Sequence, residues 1–221
     1  MKRLFCSILV LLFSLNLSAQ EDKSVAVHLG EGTSLESLLA GYGKESIKTL
    51  VVTGTPTLDD YAYIRTQEFF DKSGANGLKL DMKSAAVDTI PAKAFYALDS
   101  LTIYRFHFVL PRSLTFIGDS AFAGWTQMFF QPEFEVTGPF PKTGKAPFSR
   151  YDWMNVPIPL AWYWTVSDDN VYCVEEDYGI YSADLKVLYI KSNPYYDGWE
   201  ADNVLPGTEF IAENAFSGCT Y

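Results

Sequence analysis

The stretch Leu110-Pro111-Arg112-Ser113-Leu114-Thr115-Phe116-Ile117-Gly118-Asp119-Ser120-Ala121-Phe122-Ala123-Gly124 decides the reading of this chain. Its core is the hexad Ile-x-x-x-Ala-Phe, Ile117 to Phe122. The same hexad occurs at Ile90 to Phe95, 27 residues upstream, and at Ile211 to Phe216. Leu-Pro precedes the second and third hexads (Leu110-Pro111, Leu205-Pro206), and a Gly trails them (Gly124, Gly218). Self-similarity at such a spacing predicts a solenoid, in which each unit buries its apolar side against the next.

The hexad has a physical logic. Ile closes an inner layer after a turn, Phe fills the wide middle of the coil, and Ala is small where neighbouring coils approach. The second position is Pro91, Gly118 and Ala212 in turn. Pro holds φ near −65°, so Gly118 is not expected to serve a left-handed backbone there. Gly124 and Gly218 are the better candidates for that role, each ending a one-turn helix.

Working outward, residues 33–42 read as a short helix. Thr33 and Glu36 have capping-box spacing, and Leu35, Leu38 and Leu39 form the apolar stripe. A β-branched run from Ile47 to Thr53 reads as a strand ended by Gly54 and Pro56. A second helix is expected from Leu58 to Phe70, with Thr57 as its N-cap and Asp59 and Asp60 in its first turn. Short alternating strands are then expected at Leu78-x-Leu80, Leu101-x-Ile103 and Met128-x-Phe130.

The repeat units resemble the BspA-type leucine-rich repeats of bacterial surface proteins. The residues that carry the resemblance are Leu110 to Gly124 and Leu205 to Cys219. The second of these is one residue shorter between Pro and Ile, and has Ala212 in place of Gly. Gly179 to Leu188 also resembles the hairpin that often precedes such a repeat, and so does the N-terminal block Leu35 to Leu80. The resemblance implies a secreted or surface-exposed solenoid that binds other molecules. It carries no catalytic residues.

The expected fold is therefore an α/β leucine-rich-repeat solenoid with short strands on one face. Residues 1–19 read as a secretory signal, 20–76 as an N-terminal helical cap and first repeat, 77–130 as leucine-rich repeats, 131–170 as an aromatic- and Pro-rich insert, and 171–221 as a β-hairpin with an incomplete final repeat. The signal consists of Lys2 and Arg3, an apolar run from Leu4 to Leu17, and the small pair Ser18-Ala19. That run is short for a membrane span, so no span is expected after cleavage. The stretch 131–170 shows no repeat, and two readings stay open for it, a degenerate coil or an inserted loop. At Tyr221 the last coil would lack its strand partner and expose apolar edges.

The net charge is −10, and signal removal makes it more negative by two. Such a chain repels phosphate backbones, so nucleic acid is not an expected partner. The two histidines, His28 and His107, lie on unrelated segments without metal-ligand spacing, and no metal or cofactor is expected. His107 is read as a partly exposed packing residue between strand and turn. Asp168-Asp169-Asn170 reads as a solvated turn, because the twelve-residue calcium loop is missing. Cys173 and Cys219 remain after cleavage, and their pairing is left open.

Outward side chains of the strands are the expected binding set, alternating with the buried ones. They are Thr49, Val51, Lys79, Asp81, Thr102, Tyr104, Gln127 and Phe129. Trp162 and Trp164 join them as possible flat platforms, although rings covering the solenoid core are the plainer reading. The expected function is a non-enzymatic secreted or cell-surface recognition or adhesion module for an extracellular protein or glycan. The alternatives are a glycan-processing enzyme that uses the aromatic insert, and a structural spacer or fragment of a longer surface protein.

Overall fold

A computed structural model describes residues 23–65, 77–96, 106–123, 133–148, 150–151, 157–158, 163–176, 179–191 and 204–216. The chain forms a parallel β-solenoid of about five turns with few helices. Its strands are β1 Lys23–Leu29, β2 Ile47–Gly54, β3 Leu78–Asp81, β4 Thr89–Ile90, β5 Phe106–Val109, β6 Phe116–Ile117, β7 Glu133–Val136, β8 Lys142–Thr143, β9 Arg150–Tyr151, β10 Pro157–Ile158, β11 Tyr163–Val166, β12 Cys173–Glu176, β13 Gly179–Ser182, β14 Val187–Lys191 and β15 Phe210–Ile211. One wall is a six-stranded sheet in the order β1-β2-β3-β5-β7-β11, and a second wall is β4-β6-β8. Every pair within these two walls is parallel. Consecutive strands of a wall must therefore be joined by a full circuit of chain, which is what makes a coil.

Register explains the repeat. In the large wall, Val25, Leu50, Leu80, Phe108, Phe134 and Trp164 lie one above another. All six are buried. In the small wall, Ile90 pairs with Ile117 and Ile117 with Thr143. Between the walls runs a column of rings. Phe95 stacks on Phe122 at 5.0 Å with planes 5° apart, and Phe122 stacks on Phe148 at 5.6 Å and 15°. Edge-on contacts from Phe108 to Phe95 and from Phe134 to Phe122 join the column to the large wall. The shared Ile and Phe contacts of the hexad thus form one core.

The turn after Phe122 is legible only in part. Residues 133–148 form a further coil, so this half of the aromatic stretch takes the degenerate-coil reading. Thr143 to Phe148 occupies the hexad register, with Thr in place of Ile and Pro147 in place of Ala. The backbone bond is kept: Phe122 N donates to Pro147 O at 2.7 Å, as Phe95 N donates to Ala121 O at 2.7 Å. The strands expected at Leu101-x-Ile103 and Met128-x-Phe130 lie outside the described residues. The neighbour of β3 in the wall is Phe106–Val109, and the next is Glu133–Val136.

The fourth hexad position has left-handed backbone in every unit without being glycine. φ is 58° at Lys93, 52° at Ser120, 45° at Ala146 and 68° at Asn214. Gly124 and Gly218, the expected left-handed positions, lie outside the described residues. Gly118 itself serves close approach, as its backbone predicts. A Cβ there would stand 2.4 Å from Ala92 N of the preceding coil.

The N-terminal helices are shorter than expected, Leu35–Leu39 (α1) and Leu58–Ile64 (α2). α1 is capped by Ser34 with Ser37, one residue later than the Thr33 and Glu36 reading. Thr33 instead closes the preceding turn, because its hydroxyl accepts from Gly30 N and donates to Gly30 O. Thr57 caps α2 as expected, in a box with Asp60. Buried Asp60 also accepts from Leu35 N at 2.7 Å, so one carboxylate ties the first turn of α1 to that of α2. Among the described residues no helix is long and apolar enough to cross a membrane.

At the other end β12-β13-β14-β15 form a mixed sheet. Cys173, Ile180 and Ile190 join the main core. The third hexad departs from its expected role. Ile90 and Ile117 are fully buried, but Ile211 is 53% exposed. β15 is an edge strand of its sheet among the described residues, which fits the exposure of Ile211.

Two substitutions test this account. Phe122→Ala removes the ring shared by three coils and should cost about 3–5 kcal/mol in urea unfolding. Ala146→Gly relieves a left-handed alanine and should stabilise by about 1 kcal/mol. A loss of stability at Ala146→Gly would show that the backbone there is not strained.

Candidate binding face

Because strand side chains alternate, the residues between the buried ones face outward on the large wall. Register assembles them into two rows across the coils. Thr49, Lys79, His107 and Glu133 form one, and Val51, Asp81, Glu135 and Thr165 the other, with Val109 holding its register place in the second row but buried. Thr49, Val51, Lys79 and Asp81 are therefore brought together, each half-buried, as the alternation rule predicts. Thr102, Tyr104, Gln127, Phe129 and Trp162 lie outside the described residues.

Trp164 is inside the coil. It is 3% exposed and stacks on Phe134 at 4.9 Å, with Phe148 edge-on at 5.1 Å. This ring fills the core beyond the Phe column and offers no platform to solvent. Phe140 lies against it and stacks on Tyr189 at 5.4 Å, joining the hairpin sheet to the solenoid.

The rows contain three ionisable residues the sequence reading missed: His107, Glu133 and Glu135. His107 sits within β5 rather than between strand and turn. Its ring lies between two carboxylates, with Nδ1 3.8 Å from Glu133 Oε2 and Nε2 3.3 Å from Glu135 Oε2. The same Glu135 oxygen is 3.6 Å from Lys79 Nζ. The Nε2 contact is short enough for an ion pair with a protonated ring but lacks hydrogen-bond geometry. Pairs as exposed as these are worth ~0–1 kcal/mol each, so they set the charge pattern of the face more than its stability.

The signal for these residues was a spacing anomaly. Leu101-x-Ile103 follows Leu78-x-Leu80 by only 23 residues, while the first two hexads lie 27 apart. Stepping 28 residues from Leu80 reaches Phe108, and 26 more reaches Phe134.

Electrostatics extend the face toward the hairpin. Burial, and then the nearby charges of Glu133 and Glu176, push the Glu175 carboxyl above its ordinary range. Asp169 behaves oppositely. Hydrogen bonds from Lys83, Arg112 and Ser167 hold it well below the usual carboxylate range. Its oxygens are engaged by cations from two earlier coils, so the Asp168-Asp169-Asn170 turn acts as a cross-coil tie. Asn170 strengthens that tie, donating to Val136 O and Gly138 O and accepting from Tyr172 N and Cys173 N.

Nucleophilic chemistry finds no support at Cys173. It is a buried free thiol whose Sγ lies 3.7 Å from Gly138 O, and burial pushes its pKa up to about 11. A thiol so raised is protonated at neutral pH and is a poor nucleophile. Among the described residues no group of three His, Cys, Asp or Glu side chains could hold a metal ion.

No protein-family model matches this chain, and no curated protein matches it.

Glu175 gives the face a pH signature. A carboxyl raised on folding means that the folded state holds the proton more tightly, so its stabilising contribution is present at acid pH and lost as pH rises through its own range. Glu175→Gln should therefore raise the unfolding midpoint at pH 7 relative to wild type, with the gain shrinking toward pH 4. Asp169→Asn should show the reverse dependence, destabilising at pH 7 with a deficit that fades in strong acid. Denaturant titrations across that range decide both; a pH-independent offset for either variant removes the linkage.

Proposed function

We propose that this chain is a non-enzymatic recognition module, secreted or displayed on a bacterial surface, of the BspA-type leucine-rich-repeat kind. It binds an extracellular protein or glycan through the outward rows of the large wall. The observation that carries the reading is the ladder of outward side chains, Thr49 to Glu133 in one row and Val51, Asp81, Glu135 and Thr165 in the other around buried Val109, held in register on a stacked scaffold. A solenoid of this kind makes an extended surface without needing a cleft, which suits binding rather than turnover. The motif of Leu110 to Gly124 supports the family reading, and the apolar leader at Leu4 to Leu17 supports export.

The face also has a polarity. Its first half is neutral at Thr49 and Val51, and its second half holds Asp81, Glu133 and Glu135 with Lys79 and His107 between them. A partner that lies along both rows presents a flat polar surface to the first half and cations to the second.

The test is a glycan and host-protein array probed with residues 20–221, followed by charge reversal on the face. The double variant Glu133→Lys/Glu135→Lys should weaken the bound partner by about tenfold or more while leaving the melting temperature near wild type. If it and a Lys79→Ala/Asp81→Ala variant both bind as wild type does, the large wall is not the recognition surface. Turnover of any polysaccharide by the wild-type chain would replace this reading with an enzymatic one.

A further inference from the structure

We draw no further inference here: the strongest candidate, the exposed apolar rim of Val171, Tyr172 and Leu185 at the turns of the hairpin sheet, carries nothing because nothing in the structure shows what covers it.

Discussion

Ring-on-ring contact between successive coils is the constraint from which the rest follows. Phe95, Phe122 and Phe148 stack with nearly parallel planes and fix the distance from one coil to the next. The backbone bonds from Phe95 N to Ala121 O and from Phe122 N to Pro147 O fix the rotation. With height and rotation both set, the two walls have little freedom in their register. That register in turn aligns Leu50, Leu80, Phe108, Phe134 and Trp164 inward. A shift of one residue in any strand would turn that strand's inward side chains to solvent, so the core specifies the outer face as firmly as it specifies itself.

The outer face inherits its order from that core. Lys79, His107 and Glu133 come from coils more than fifty residues apart in total, yet they stand side by side because their buried neighbours do. Their mutual attraction is modest at this exposure and could not position them unaided. The direction of dependence is thus from apolar packing to charge pattern. Substitutions on the face are free to alter recognition while the scaffold beneath keeps its shape.

The solenoid was legible in the hexads because Ile-x-x-x-Ala-Phe encodes a complete coil contact in six residues. The coil at 133–148 was not, since Thr143 and Pro147 replace Ile and Ala and leave Phe148 as the main surviving mark. A single Phe in a stretch rich in aromatics has no contrast against its surroundings. Alternation alone could not pick out the strands that follow β3 in the large wall: Leu101-x-Ile103 alternates as well as Phe106-x-Phe108 does, and only the spacing between coils points to the latter. Within the binding set, Thr49, Val51, Lys79 and Asp81 were readable because their strands were placed correctly. His107, Glu133 and Glu135 were missed with the strands that carry them. For Trp164 the plainer of the two readings, a ring covering the solenoid core, is the one the structure bears out, and the surface-platform reading is not.

The matching backbone bonds between coils have a consequence for how such a chain can change in length. Each coil offers its neighbour nearly the same set of acceptors, as Ile90 O does for Gly118 N and Ile117 O for Gly144 N. Gain or loss of a segment near 27 residues would keep every aromatic over its predecessor, whereas a slip of three or four would throw the rings out of line. Size variation in a protein built this way should come in whole increments, much as a staircase is extended by the step.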